Sequence, residues 1–378
     1  MTLRISKKQS GMTLVELMVS MTIGIMLIAG IVQLMANNKQ HYLFQSELAR
    51  MQENGRYALT VLREEIQMAG VSGCSATSQV NNLLDTGAAG YSDTLYNLTR
   101  AVGGWEYIAV GEETGPGDSY TLSDVVSATV NSWSNGDGGS PELVASLNNK
   151  IFKGTDVLVV KYTEPPVDLT YTVPTTIAVA AGTNFTISSS LDEGQLVILS
   201  DCSGADLFRN CSSVAGQVGR INCADVPNND TGLPLGHAYQ VLMGNEDATI
   251  SALTINSFYI GSGQNSTPTL YRKSYSLGAA ENAEPLVEGI ESMQILYGVD
   301  TDADAVPNQY VTAAGLTGTN ADNVVTVRIS LLLRSIEEIE EVNNSDSLAM
   351  AEATIISGSD RYLRKAVSTT IQLRNGGI

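Results

Sequence analysis

The clearest pattern in the chain is a long apolar segment near its start. Residues 12–36 carry one ionisable side chain, Glu16, and otherwise a few small or amide polar groups. A helix needs roughly 20 apolar residues to cross the hydrocarbon core of a bilayer, so this segment is long enough to span a membrane. Arg4, Lys7 and Lys8 precede it with no acid among residues 1–11. The positive-inside rule therefore predicts a cytoplasmic N-terminus and an exported remainder.

The apolar pattern continues beyond residue 36 with helical spacing. Apolar or small residues recur at steps of three and four, namely Phe44, Leu48, Met51, Gly55, Ala58, Leu62, Ile66 and Ala69. Such spacing is typical of an amphipathic helix with one buried face. We predict one helix over residues 13–69, stopped by Gly70. Residues 12–36 form its apolar half, and residues 37–70 extend it over a globular head. Gly55 weakens its interior and predicts a bend.

Beyond residue 70 the spacing changes to that of strands and loops. Residues 75–150 are rich in Gly, Ser, Asn and Asp, which predicts a loop-rich, variable surface insertion. We interpret Trp105 and Trp133 in it as small cores beneath loops, with an exposed binding face as the alternative. Strand-like runs then occupy residues 155–162, 195–200, 249–260, 269–277, 324–333 and 362–373. They predict that residues 71–378 form a β-rich head on one antiparallel sheet, so the fold class is α+β.

Charge and composition narrow the possible functions. The net charge is −19, with 21 Lys and Arg against 40 Asp and Glu among 378 residues. Such an acidic surface repels phosphate backbones, so direct nucleic-acid binding is not expected. The sequence has no GxSxG, HExxH or GxxxxGK[ST] motif, and neither His41 nor His237 has an obvious nucleophile partner. We therefore do not predict an enzyme.

All four cysteines follow the apolar segment, where an oxidising compartment favours disulfides. They are Cys74, Cys202, Cys211 and Cys223. We expect two bridges, and of the three pairings we favour Cys211 with Cys223 and Cys74 with Cys202. The first closes a short loop and the second ties the end of the long helix to the head. A zinc site is the alternative, although the chain has no CxxC pair.

A short acidic run raises the question of a metal. Asp300, Asp302 and Asp304 alternate as at the start of a calcium loop, but Ala305 and Val311 stand where an EF-hand requires Gly and Glu. Two interpretations stay open. The run is a plain acidic turn, or it is a calcium site of another kind that Asn308 or a distant acid completes. No other cofactor is predicted.

The N-terminal motif resembles that of type IV prepilins. The motif SGMTLVEL at residues 10–17 joins a short basic leader to the long apolar helix. The resemblance implies that residues 1–11 are a leader cut after Gly11, that Met12 becomes an N-methylated amino terminus, and that Glu16 guides docking into a filament. Family members usually carry Phe where this chain has Met12. A carboxylate inside an apolar segment requires a cation, and a new α-amino group at Met12 supplies one.

Further stretches are similar to the PilW group of minor pilins. They are RMQENGRYAL at 50–59, LREEIQMAG at 62–70, SDCSGADLF at 200–208 and PLVEGIESMQILYGVD at 285–300. The resemblance implies a type IV pilin-like fold and a minor pilin at or near a pilus tip. The implied partners are prepilin peptidase, other minor pilins, the major pilin and the inner-membrane assembly platform. It implies an inner-membrane precursor with a periplasmic head, and a mature protein in the pilus.

The family serves twitching motility, adhesion or DNA uptake, and the sequence does not choose among them. Two other functions are kept as alternatives. The large head suggests a tip adhesin or ligand-binding pilin, and the leader and helix are shared with type II secretion pseudopilins.

Overall fold

The computed structural model describes residues 11–70, 80–88, 90–108, 119–126, 133–135, 143–169, 175–177, 184–187, 190–201, 203–222, 227–241, 248–277, 282–339, 343, 345, 347–351 and 353–374. The chain divides into two compact units, Met1–Arg50 and Met51–Ile378.

Helix α1 (Leu14–Met68) has 55 residues, within one residue of the predicted bounds at each end. Gly70 follows it with a positive φ of 82°, the conformation of a glycine helix stop. In the first unit the apolar side chains of α1 are exposed, Met26 by 76% and Leu34 by 64%. By length and composition this stretch is apolar enough to cross a membrane.

In the second unit α1 has a buried face. Its buried members are Met51, Gly55, Ala58, Leu62, Glu65 and Ile66. The predicted amphipathic face is confirmed from Met51 onwards, whereas Phe44 is 40% exposed. Gly55 has a packing role, because a Cβ at this position would lie 2.6 Å from Cδ1 of Leu333. A missing side chain here lets the helix approach the sheet closely.

The head contains 23 strands among the described residues. The first twelve are β1 (Val80–Asn82), β2 (Val102–Tyr107), β3 (Ser119–Thr121), β4 (Ser123–Val126), β5 (Trp133–Ser134), β6 (Phe152–Lys153), β7 (Val157–Thr163), β8 (Val167–Asp168), β9 (Thr175–Ile177), β10 (Asn184–Thr186), β11 (Leu196–Asp201) and β12 (Gly204–Arg209). The remaining eleven are β13 (Gln217–Gly219), β14 (Tyr239–Val241), β15 (Thr249–Ser262), β16 (Pro268–Ser274), β17 (Glu284–Glu288), β18 (Ile290–Val299), β19 (Gln309–Val311), β20 (Val324–Arg334), β21 (Ser347–Met350), β22 (Ala353–Ile356) and β23 (Arg364–Gln372). Short helices lie at α2 (Asp93–Tyr96), Ala145–Leu147, Gln264–Ser266, Ala313–Gly315 and Gly318–Asn320.

Two sheets dominate the head. The larger has ten strands, with a central path β1-β12-β11-β15-β7-β2-β5; β8 and β16 also pair with β15, and β17 pairs with β16. The second has four strands in the order β19-β18-β20-β23. Pairing is antiparallel except for β1 with β12 and β22 with β3. The predicted α+β class and pilin-like layout are confirmed, but the expected single sheet is wrong. The chain changes sheets between β17 and β18, at Gly289 with φ of 78°.

Helix α1 contacts both sheets through polar side chains that lie beside its apolar face. Asn54 Nδ2 donates to the carbonyl of Glu288 at 3.0 Å, at the point where the chain changes sheets. Arg63 Nη2 lies 3.4 Å from the Thr369 hydroxyl on β23. These bonds fix the position of the helix over the junction between the two sheets.

The core includes residues from the stretch that the sequence indicated to be a surface insertion. Strand β2 pairs with β7 inside the ten-stranded sheet. Trp105 is 0% exposed and Trp133 is 1% exposed, and both belong to one apolar cluster with Leu95, Tyr96 and Leu147. Their interpretation as core residues is confirmed, but this core belongs to the main sheet. The glycine-rich composition hid a buried strand whose Gly103 and Gly104 carry no apolar side chain.

Candidate assembly and processing site

The Gly11–Met12 peptide bond lies ahead of the helix, in non-helical backbone. Gly11, Met12 and Thr13 precede the first helical residue, Leu14, and all three are exposed. A Cβ placed on Gly11 would meet no atom within 4 Å. A peptide bond outside a helix has its N–H and C=O free of helical hydrogen bonds, so an enzyme can approach it without unwinding the helix.

Thr13 begins the helix, a role that sequence analysis did not assign. Its hydroxyl accepts a hydrogen bond from the backbone N–H of Glu16 at 3.3 Å, and its carbonyl accepts one from Leu17 at 3.1 Å. This satisfies one of the donors left open at a helix start. The signal was present in the sequence, because Thr13 and Glu16 have the T-x-x-E spacing of a capping box.

Glu16 lies in the first turn of α1 and is exposed. A carboxylate at this position interacts favourably with the positive end of the helix dipole. The nearest cationic side chain along the described helix is Lys39, about 35 Å away at 1.5 Å per residue. Among the described residues of this helix, no side chain is therefore close enough to give Glu16 a full counter-charge.

The other polar side chains of the apolar stretch bond within the helix. Ser20 donates to the carbonyl of Glu16 at 2.7 Å, and Thr22 donates to that of Val19 at 2.8 Å. Gln33 Nε2 donates to Asn37 Oδ1 at 3.2 Å. Because these groups are already satisfied, they cost little when the helix surface enters an apolar environment.

The three aspartates of the acidic run come together in one loop. Oxygens of Asp300, Asp302 and Asp304 lie within 4.8 Å of one another, with Asp300 buried and the other two exposed. The Asp300 carboxylate accepts backbone N–H bonds from Asp302, Ala303 and Ala305 at 2.7 to 3.0 Å. Burial acts to raise the pKa of Asp300, but these bonds outweigh it and hold the pKa below its usual value.

Asp300 therefore supplies most of the side-chain bonds to the backbone of this loop. Its bonds hold Ala303 and Ala305 at positive φ of 62° and 63°, where residues other than glycine are strained. Asn308 Oδ1 accepts from the backbone N–H and the hydroxyl of Thr301 at 2.7 and 3.1 Å. Calcium binding by the three aspartates stays a prediction, which a calorimetric titration with calcium tests.

Cys211 is the one cysteine among the described residues, since Cys74, Cys202 and Cys223 lie outside them. It is buried and disulfide-bonded. Asn229 Nδ2 lies 3.4 Å from its sulfur and also donates to the carbonyl of Ile221 at 2.9 Å. The segment that leads to Cys223 therefore passes beside Cys211.

His237 has a carboxylate partner that the sequence did not reveal. Its Nε2 lies 3.0 Å from Asp201 Oδ1, which also accepts from the Ser203 hydroxyl at 2.7 Å. The ring covers Gly204, where a Cβ would lie 2.8 Å from the imidazole. His237 and the Ser203 hydroxyl both donate to Asp201. In an activated serine nucleophile the hydroxyl would instead donate to the histidine, so this arrangement is of a different kind.

A buried carboxyl group joins the two main sheets. Asp156 is 2% exposed, and its oxygens accept from the backbone N–H of Tyr107 on β2 at 3.2 Å and of Ile295 on β18 at 2.8 Å. Burial raises the pKa of Asp156 to about 7, while these hydrogen bonds and one with Glu106 oppose the rise. Beside it, the buried Tyr297 hydroxyl donates to the Gly103 carbonyl at 2.7 Å.

A buried ionic network ties together three strands of the four-stranded sheet. Glu291 on β18 accepts from Arg364 Nε at 2.7 Å and Nη2 at 2.9 Å, and Arg334 Nη1 lies 3.4 Å from it. Arg364 also binds Asp360 through two bonds of 2.7 Å. Removing one partner from such a network leaves an uncompensated charge and costs several kcal/mol, about 3 to 5.

The molecule thus combines a capped apolar helix, a glycine–methionine bond just ahead of it and an antiparallel-rich head. These features resemble those of a type IV pilus-related pilin, and two family models match parts of the chain. Residues 6–32 match the prokaryotic N-terminal methylation motif. Residues 257–375, which run from within β15 through β23, match the family described as type IV pilus-assembly protein W, PilW. Together these are the matches of a PilW-like prepilin. The chain has no significant match among curated proteins or solved structures.

Asp156 gives the stability of the head a defined pH dependence. Its folded-state pKa is raised above its ordinary value, so the folded protein keeps a proton that the unfolded chain has released. We expect the free energy of unfolding to fall by about 3 kcal/mol from pH ~5 to pH ~8. Denaturant unfolding of the mature protein at the two pH values measures this change.

Asp156→Asn isolates the contribution of this group. The amide cannot titrate, so the pH slope should flatten, and overall stability should drop by about 1 to 3 kcal/mol because its NH₂ group faces a backbone N–H. Glu193→Gln, on an exposed loop, is the matched control and should keep the slope of the unaltered protein. A slope that survives in Asp156→Asn would assign the pH dependence to other groups.

Proposed function

We propose that this protein is a minor pilin of the type IV pilus, cut after Gly11 by prepilin peptidase and methylated on Met12. The observation that carries the proposal is the local geometry of the N-terminus. The Gly11–Met12 bond precedes a helix that Thr13 caps and that places Glu16 in its first turn. Cleavage creates an α-amino group about one turn from Glu16, which is the missing cation.

Assembly follows from the uncovered apolar surface of α1. In the membrane this surface contacts lipid, and in a filament it contacts the equally apolar helices of other pilins. Moving between two apolar environments gives little net hydrophobic gain, so packing and the pairing of Glu16 with the amino terminus of a neighbour set register. The precursor is held in the inner membrane with its head in the periplasm, and the mature protein lies in the pilus.

The proposed partners are the other minor pilins, the major pilin and the inner-membrane assembly platform. The match of residues 257–375 to PilW supports a place in the tip complex that initiates the pilus, over a type II secretion pseudopilin. The acidic composition supports partners other than nucleic acid. We propose no catalytic activity for this protein.

The first prediction from this proposal concerns the mature N-terminus. In cells that contain prepilin peptidase, mass spectrometry should find a terminal peptide that starts at N-methyl-Met12. In cells without the peptidase the leader should remain attached, because no other step in the proposal cuts the Gly11–Met12 bond. An intact leader in both strains would make the protein a simple membrane-anchored protein and end the proposal.

The second prediction concerns Glu16. Glu16→Gln removes the charge and keeps the size, so the side chain can no longer pair with an amino terminus in an apolar environment. We expect normal cleavage but about tenfold or greater loss of the protein from sheared filaments, measured by immunoblot against the membrane fraction. Glu53→Gln, exposed on the same helix, is the matched control and should assemble normally. Normal incorporation of Glu16→Gln would remove Glu16 from the assembly mechanism.

The third prediction concerns the disulfides. We propose Cys211 with Cys223 and Cys74 with Cys202. Supporting the first pair, Asn229 bonds to both Cys211 Sγ and the carbonyl of Ile221, two residues before Cys223, a span of at most about 7 Å. Peptide mapping without reduction should recover these two linked pairs. Recovery of Cys211 linked to Cys74 or Cys202 would contradict the pairing.

A further inference from the structure

A polar cleft of about 380 Å³ opens on the head, over strands β7, β15 and β16. Its volume lies at the lower end of the range for small-molecule sites. Gln195 and Asn282 contribute to its lining, beside Glu164 and Glu284. All of these residues belong to the second unit, and the cleft is distinct from the N-terminal helix start where processing and docking are proposed.

The floor of the cleft is held by a residue of helix α1. Glu65 is buried and accepts from Asn256 Nδ2 at 3.0 Å and from Arg272 Nη1 at 3.1 Å. The Tyr162 hydroxyl also bonds to it, and burial followed by the charge of Glu65 raises the pKa of that tyrosine. Because these groups are fixed before any ligand arrives, binding requires little reordering of the floor.

Charge in the cleft argues against an anionic ligand. Arg272 is the cation in the lining, and its guanidinium is shared between Glu65 at 3.1 Å and Glu284 at 2.7 Å. Glu164, which accepts from the Thr254 hydroxyl at 3.2 Å, adds another negative charge. The carboxylates therefore outnumber the cation, and a phosphate, sulfate or carboxylate would meet a net repulsion.

The remaining hydrogen-bonding capacity is that of neutral groups. Within the described part of the chain, the side-chain amides of Gln195 and Asn282 have no hydrogen-bond partner, and each offers both donors and an acceptor. Leu277 is the apolar member of an otherwise polar lining. Such a mixture of amides, hydroxyls and a carboxylate matches a ligand with many hydroxyl groups, each of which both donates and accepts.

We propose that this cleft binds a neutral saccharide through the amides of Gln195 and Asn282 and the carboxylate of Glu164. The inference is independent of filament assembly, because it concerns the head alone. It adds ligand recognition to a protein whose processing and docking depend on the other end of the chain.

The test uses the full-length mature protein in lauryldimethylamine oxide micelles, a detergent without a sugar headgroup. Saturation-transfer NMR with a panel of free neutral hexoses, N-acetylhexosamines and their disaccharides, at millimolar concentration, should detect at least one ligand. The double substitution Gln195→Ala with Asn282→Ala should weaken its binding about tenfold, since two hydrogen bonds are lost. Binding should be insensitive to salt, because the ligand carries no charge.

Gln309→Ala is the matched control, since Gln309 is an exposed amide on β19 and outside the cleft lining. It should bind as the unaltered protein does, and all variants should share its melting temperature because the substituted side chains lie at the surface. Immobilised neutral glycans identify the source of the ligand. Binding to free and immobilised sugars supports a small saccharide, and binding to immobilised glycans alone supports a cell-surface glycan.

Three results would overturn the proposal. The first is the absence of binding by every free and immobilised neutral saccharide. The second is equal binding by the double variant and the unaltered protein, which would place the ligand elsewhere on the head. The third is salt-sensitive binding of the neutral sugars, which would contradict recognition through uncharged groups.

Discussion

The structure depends on an apolar helix surface that the described part of the chain leaves uncovered. From residue 14 to about residue 50, α1 exposes large side chains such as Met26 and Leu34. A soluble protein does not expose a continuous apolar surface of this extent, so lipid or other helices must cover it. Helix capping by Thr13 and the internal bonds of Ser20 and Thr22 lower the cost of that transfer, because the Glu16 N–H and the two hydroxyl groups enter the apolar phase with a hydrogen-bond partner.

From Met51 onwards the same helix packs against strands of the head. Gly55 lets it approach Leu333 closely, and Asn54 anchors it where the chain changes from one sheet to the other. Glu65 bonds to Asn256 on β15 and Arg272 on β16, two residues that line the polar cleft. A disturbance of the helix in this region therefore reaches both sheets and the cleft, because one short segment supplies the contacts to all three.

Sequence alone predicted the features that depend on local pattern. The helix was placed to within one residue at each end because its apolar spacing and Gly70 are local signals. Strands β7, β11, β15, β20 and β23 were found for the same reason, since each alternates or is rich in β-branched residues. The division into two sheets was not predicted, because it depends on the positive φ of Gly289 and on pairings far apart in sequence. Strand β2 was missed because Gly103 and Gly104 resemble a turn, although Gly104 packs where a Cβ would meet the carbonyl of Val157.

For the candidate sites, the limit lies in partners that are distant in sequence. Roles for Gly11, Met12 and Glu16 were predicted from one contiguous motif and stay predictions, whereas the pairing of His237 with Asp201 spans 36 positions and has no local sequence signal. The buried network of Glu291, Arg334 and Arg364 likewise needs three strands to form. Asp300 was recognised as unusual, but its bonds to the backbone of its own loop became visible only with the fold.

Recognition among pilins cannot come from the apolar helix alone. Apolar helix surfaces pack against one another with little chemical discrimination. Lipid tails are about as apolar, so they contact the same surface nearly as favourably. In the proposed assembly Glu16 sets the register along the helices, but an identical carboxylate on other pilins would pair with any amino terminus. The choice of neighbour must therefore rest on the head, where polar and charged groups are placed in fixed positions. With a net charge of −19, the whole chain repels copies of itself, which favours a few positions beside less acidic partners over long runs of the same subunit.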